Sequence, residues 1–180
     1  LPEDGATACT TFYGRKFTGI KNGPSPQWLQ DRLKAIGLRP ISKLVDVTNY
    51  ITHDLGRPLH VYDAGKLTGN LKARMAETGE KFTALDDKEY TATGTECVIA
   101  DDAGVQGFGG IIGGLDTGCQ DDTTDVVLEA ALFDPVRTAF TGRDQGLITD
   151  ARYRFERGVD PLFVAQGIEI ATRMILDLCG

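Results

Sequence analysis

Three features of the sequence have residue types and spacing that could do chemistry. The first is a glycine-rich stretch from Gly104 to Gly118, with seven glycines in fifteen residues and the run Gly107-Phe108-Gly109-Gly110-Ile111-Ile112-Gly113-Gly114 inside it. Glycines let backbone approach backbone or ligand closely and permit positive φ. No Gly-Lys-Ser/Thr follows, so this is not a phosphate loop. Two readings fit: a tight turn between strands, or a pocket wall of bare backbone N–H and C=O groups. The second feature is Glu129, a carboxylate within the apolar run Val126-Val127-Leu128-Glu129-Ala130-Ala131-Leu132-Phe133. Buried and unpaired, it would cost on the order of several kcal/mol. Either it faces outward from its strand, or it is a buried acceptor for a ligand hydroxyl or amine. The third is His60, on an apolar strand after Pro58-Leu59; a lone histidine in such a place is more often a satisfied core residue than a catalyst.

Other chemistry is poorly represented. His53 sits before Asp54 near a helix end, where exposure is expected, and its spacing from His60 favours no metal site. Thr48 and Asn49 lie within a helix and could cap or point into a cleft. There is no Gly-x-Ser-x-Gly elbow, no recognisable Cys/His pair and no zinc-protease helix. Cys9, Cys97, Cys119 and Cys179 have no zinc-type spacing, so reduced thiols are the expectation. The net charge of −7 argues against broad capture of a nucleic-acid backbone. Arg137, Arg143, Arg152, Arg154 and Arg157 nevertheless cluster. They fit ion pairing with Asp134, Asp144, Asp150 and Glu156, or a local role near an RNA end.

The elements that must position these residues are legible in outline. Residues 10–23 read as one strand ending in a turn. Ser25-Pro26 predicts a helix start, with Trp28, Leu29, Leu33 and Ile36 as its apolar face and Gly37 as its cap. A second helix follows Ser42, with Leu44, Val47, Ile51 and Leu55 at helical spacing, and closes at Gly56. Strands are expected at 59–62, 71–75 and 97–100, with a turn at Asp101–Gly104, and a hairpin of 82–85 with 89–91. A buried strand at 125–129 precedes a short helix at Asp134-Pro135. A long helix from Asp160-Pro161 carries Val164, Ile168, Ala171, Ile175 and Leu178. Helices near both ends and strands between them predict an α+β fold with an antiparallel or mixed sheet packed on itself. One domain over 180 residues is the simplest organisation, with 41% apolar and 25% charged residues normal for a globular protein. Leu1–Gly5 lacks an initiator Met and the features of a signal peptide, so an excised fragment is expected.

The residues also carry a resemblance. Ser25–Leu29, Gly37–Ser42, Val45–Tyr50, Gly56–His60, Gly110–Gly114, Leu128–Pro135 and Thr149–Pro161 occur in that order. Together they resemble the B3/B4 editing module of bacterial phenylalanyl-tRNA synthetase β subunits over nearly the whole chain. The resemblance implies a layered, β-sandwich-like mixed sheet with flanking helices, within a longer β subunit. It implies hydrolysis of tyrosine wrongly esterified to the phenylalanine tRNA. Its pocket residues fall on Arg39, Thr48, Asn49, His60, Gly113, Gly114, Glu129, Thr149 and Ala151. Glu129 would accept the tyrosine hydroxyl and the glycine backbone would add a donor. His60, Arg39 and Thr149 would serve the ester and the tRNA 3′ end. Phe140 departs from the smaller or polar residue expected before Thr141-Gly142-Arg143.

Further expectations follow from it. The partners implied are the tRNA 3′ end and the α and second β subunits of an (αβ)2 assembly, in the cytoplasm. ATP and Mg2+ belong to the full enzyme, and no cofactor is expected in this fragment. The logic suits the chemistry, since a hydrophobic synthetic site rejects an added hydroxyl only about a hundredfold. A second site that binds the hydroxyl through Glu129 would be left with an unpaired carboxylate when phenylalanine enters. The alternative is a module that docks tRNA or subunits without hydrolysis.

Overall fold

A computed structural model describes residues 8–180. The expected cut end at Leu1–Gly5 lies outside the described residues. In chain order the strands and helices are β1 (Cys9–Phe17), α1 (Gln27–Ala35), α2 (Lys43–Asp54), β2 (His60–Asp63), β3 (Lys72–Met75), β4 (Lys81–Thr83) and β5 (Glu89–Thr91). Then come β6 (Cys97–Ala100), β7 (Val105–Phe108), β8 (Ile112–Gly113), β9 (Val126–Phe133), α3 (Pro135–Asp144) and α4 (Asp150–Phe155). A 3-10 turn, Pro161–Phe163, leads into α5 (Val164–Cys179). The strands form three sheets, ordered β1-β9-β2, β3-β6-β7-β8 and β4-β5, and all of their pairings are antiparallel. The α+β, layered arrangement predicted from the sequence is therefore present.

The apolar run 126–133 becomes the central strand of the first sheet because both of its edges are paired and both faces are covered. Val126, Leu128 and Ala130 pack against Leu44, Val47 and Ile51 of α2 and Val164, Ile168 and Ile175 of α5. The opposite face, through Ala131 and Phe133, meets Tyr62, Cys97, Ile99 and Phe155. A third core, Phe82, Tyr90, Val98, Phe108 and Ile111, lies between the hairpin β4-β5 and the second sheet. Burying a side chain of this size contributes about 1.5–3 kcal/mol. The cavity lies where the last two cores meet.

Local punctuation explains several boundaries. Gly37 and Gly56 adopt positive φ just past α1 and α2, as cap glycines do. Asp134 accepts from the Arg137 amide and starts α3. The predicted hairpin forms, turning through Asp86–Lys88. Other expectations need correction. β1 stops at Phe17, because the chain beyond it bonds to Thr124 and Cys179 carbonyls rather than to a continuing ladder. Ser25 does not cap α1; its hydroxyl donates to the Asp46 carboxylate at 2.6 Å. Trp28 and Ile36 are not on the buried face of α1. Trp28 instead packs edge-on against Tyr50, with the Arg32 guanidinium over both rings. Leu55 is likewise exposed. The helix α4 is an addition to what the sequence predicted.

Candidate functional site

The second sheet brings its glycine-rich hairpin over the edge of the first. β7 and β8 pair Gly107 with Gly113 and Phe108 with Ile112. The turn between them, Gly109-Gly110, lies on the rings of Phe133 and Phe155. A Cβ on Gly109 would stand 2.6 Å from Phe133, and one on Gly110 would stand 2.7 Å from it. Gly110 also has φ of 73°, so side chains are excluded there twice over. The stretch is thus both a turn and a wall. Beneath it is a cavity lined by Pro58, His60, Tyr62, Gly113, Glu129, Ala151 and neighbouring residues.

Antiparallel pairing of β2 with β9 sets His60 directly opposite Glu129. Side chains of directly opposed residues share a face, and strand alternation puts Tyr62 on the His60 face as well. The Tyr62 hydroxyl donates to Glu129 Oε2 at 2.6 Å, and the His60 and Tyr62 rings meet edge to face at 4.4 Å. Glu129 is buried, so the outward-facing reading does not hold. Nor is the carboxylate unpaired, since Tyr62 already holds one oxygen.

Burial pushes the Glu129 carboxyl up to about 7, opposed by the Tyr62 hydrogen bond. The Tyr62 phenol is driven well above its ordinary value, first by burial and then by the Glu129 charge. Burial also lowers His60 to about 4, so its imidazole is neutral at physiological pH. His60 keeps some surface open to the cavity, yet its Nε2 is buried without a hydrogen-bond partner. An unpartnered buried polar atom beside a cavity can take its partner from a ligand or water there.

Of the residues singled out from the sequence, His60, Gly113, Glu129 and Ala151 come together around the cavity. Gly114 sits one residue beyond it, its amide donating to the Gln106 carbonyl at 2.7 Å. Thr149 caps α4, accepting from the Arg152 amide, and its hydroxyl donates to the Ile111 carbonyl of the glycine wall at 2.8 Å. Thr48 is buried in α2 with its hydroxyl turned back to the Val45 carbonyl, and Asn49 is half-buried on the same helix. Arg39 is exposed in the loop between α1 and α2. None of these last five lines the cavity.

Tyr62 is the site residue that sequence reasoning missed. The signal existed, since two residues along a strand from His60 is the same face.

The arginine cluster resolves largely as ion pairing. Arg143 meets Asp144 at 3.0 Å, Arg152 meets Glu156 at 2.8 Å, Arg154 meets Asp150 at 3.3 Å and Arg157 meets Glu156 at 2.7 Å. Asp134 is used as a helix cap instead. His53 is half-buried rather than exposed, with Nδ1 at 3.2 Å from an Arg154 nitrogen and Nε2 at 3.7 Å from Asp150.

Comparison with known proteins places the chain. A family model described as the B3/4 domain matches residues 8–180. The chain belongs to the B3/4 domain family. The phenylalanine–tRNA ligase beta subunit of Mesorhizobium japonicum is 62% identical to this B3/4 domain over 172 residues, covering 96% of the chain and 21% of the relative. The corresponding subunit of Paramagnetospirillum magneticum is 58% identical, covering 99% and 22%. That of Rhodospirillum rubrum is 60% identical, covering 96% and 22%. The B3/4 chain thus spans about a fifth of the length of these curated relatives. Among the described residues no helix is long and apolar enough to cross a membrane.

Proposed function

We propose that this B3/4 domain is the editing site of a phenylalanine–tRNA ligase β subunit, hydrolysing the ester of tyrosine wrongly attached to the phenylalanine tRNA. The observation that carries the reading is Glu129: a buried carboxylate in the lining of a cavity walled by glycine backbone and aromatic rings, with Tyr62 as its side-chain donor. A ligand phenol donates to the remaining oxygen. Phenylalanine leaves that oxygen bare, at a cost of about 1–3 kcal/mol. The pocket therefore retains the wrong product and releases the right one.

The chemistry asked of the protein is modest. Water attacks the ester carbonyl, the ribose oxygen leaves, and the carboxylic acid of tyrosine forms. With its proton affinity lowered to about 4, His60 acts as a neutral ring. Its unpartnered Nε2 orients the water or the terminal ribose instead of serving as a strong base. The glycine wall offers backbone groups to the amino acid. In this reading the tRNA 3′ end reaches the cavity mouth, and the chain works in a cytoplasmic assembly with the α subunit and a second β subunit. ATP and Mg2+ act at the synthetic site elsewhere in that assembly.

The test is the rate of hydrolysis of tyrosyl and phenylalanyl esters of the phenylalanine tRNA, by this chain and by the synthetase assembled with it. Faster loss of the tyrosyl ester from either preparation is the expected result. Equal rates in both would sink editing and leave a docking module that holds tRNA or subunits without hydrolysis.

A further inference from the structure

Editing as read above makes Glu129 the acceptor for a ligand phenol, yet the pocket already contains a phenol. Tyr62 is 2% exposed and Glu129 6% exposed, and the two are joined at 2.6 Å. They are diagonal neighbours across the β2-β9 pair, since Tyr62 lies opposite Val127 and His60 lies opposite Glu129. Long aromatic side chains reach across such diagonals. Among the described residues, no other side-chain donor bonds Glu129, and both residues line the cavity.

We propose that Tyr62 is a resident phenol that sets the selectivity of this pocket: it holds one oxygen of Glu129 and leaves the other to accept the hydroxyl of a phenolic ligand. The ligand class rests on the editing reading; the control of Glu129 rests on the contact itself. Tyr62 is a positioning residue, acting on the ligand through Glu129.

The groups facing Glu129 make the role specific. From β2 come His60, which is neutral, and Tyr62. From β1 comes the Cys9 thiol and from β6 the Cys97 thiol, both pushed up to about 12 by burial and so uncharged. Glu129 owes its residual acidity to Tyr62, with no cation contributing. A carboxylate accepting one short phenolic hydrogen bond keeps a charged, directed second oxygen. Without that bond, burial drives the carboxyl neutral. A neutral acid is a weaker acceptor, and it can turn its own O–H toward the ligand.

The arrangement also explains why the pocket tolerates a carboxylate before any ligand arrives. The bond to Tyr62 offsets part of the cost of burying that carboxylate in the empty site. A tyrosyl ligand then adds a second phenol to the same carboxylate.

The test is the pH dependence of the tyrosyl-to-phenylalanyl hydrolysis ratio, measured in the assembled synthetase from pH 6 to 8.5. Wild type is compared with Tyr62→Phe, which removes only the hydroxyl. The wild-type ratio is expected to rise through about pH 7 and then level off. In Tyr62→Phe the ratio falls about tenfold at pH 7, as the loss of a hydrogen bond to a charged group predicts, and its rise moves to higher pH. A second variant, with 3-fluorotyrosine at position 62, keeps the ring and provides a more acidic donor. Its rise moves to lower pH, so the test stands even if Tyr62→Phe folds poorly. Profiles that coincide with wild type in both variants overturn the proposal. A wild type without tyrosyl preference overturns the editing reading itself, and that failure shows before any variant is made.

Discussion

Gly113 lies flat against the imidazole of His60. A Cβ on Gly113 would stand 2.4 Å from His60 Cε1 and 2.6 Å from Nε2. Gly113 does not have positive φ, so its backbone would accept alanine; the nearest obstacle is the ring. Gly113→Ala is therefore expected to push His60 out of place, at a cost of about 1–3 kcal/mol, and to slow ester hydrolysis more than stability loss explains. Melting temperature and tyrosyl-ester hydrolysis, measured on the same preparation, check this. A variant with wild-type rate would show that the position of His60 does not matter.

The pocket should impose an unusual pH dependence on stability. Glu129 titrates near 4.5 when free and is raised to about 7 in the fold. Its contribution to stability is thus full below 4.5 and is lost as pH rises through 7, by about 3 kcal/mol. His60 runs the other way: lowered from 6.5 to about 4, it contributes above 6.5 and the contribution is lost as pH falls toward 4. Between these values the two slopes oppose, and a flat stability profile is expected. Glu129→Gln removes one slope. Relative to wild type, that variant should gain stability from pH 5 to pH 8 in urea unfolding; a constant difference would show that Glu129 ionises as an exposed acid does.

Much of this was legible where the physics is local. Gly37, Gly56 and the Asp134-Pro135 pair mark helix ends through backbone geometry that a few residues decide. Glu129 stood out because a carboxylate in an apolar strand demands an explanation. Pairing was not legible: nothing in 126–133 says that its neighbours are β1 and β2. Tyr62 escaped notice because a tyrosine in a strand reads as core, and its partner is 67 residues away. Helix α4 escaped because six residues are too short to show an apolar face. Trp28 misled because its exposed ring is satisfied by Tyr50 and Arg32 on the surface.

A second buried carboxylate tests the contrast with Glu129. Glu96 is 2% exposed and accepts from the amides of Thr93, Gly94 and Thr95, from the Thr93 hydroxyl and from Gln145. Burial pushes its carboxyl up, but the Gln145 side chain and the surrounding donors outweigh it and hold the group below its ordinary value. Its stabilisation is thus present above about 4.5 and lost as pH falls through its lowered value. Glu96→Gln would set an amide N–H2 against these donors, and we expect it to cost about 2–3 kcal/mol at pH 7. That cost should shrink in acid, as measured by thermal unfolding at pH 3.5 and 7. The hydrolysis ratio should not change, because Glu96 does not line the cavity.

Thr149 decides whether the glycine wall must be held as well as built. Its hydroxyl donates to the Ile111 carbonyl at 2.8 Å and accepts from the Arg152 amide at 3.1 Å, tying α4 to the wall that faces His60. Thr149→Asp keeps the cap acceptor but cannot donate to Ile111, whereas Thr149→Ser keeps both bonds. If Thr149 acts by holding the wall, Thr149→Asp should slow tyrosyl-ester hydrolysis severalfold with melting temperature lowered by only a few degrees, and Thr149→Ser should match wild type in both. The preference for tyrosyl over phenylalanyl ester should survive in each, because Glu129 and Tyr62 are untouched. Loss of that preference in Thr149→Asp would place Thr149 in direct contact with the aromatic ligand and overturn the positioning role.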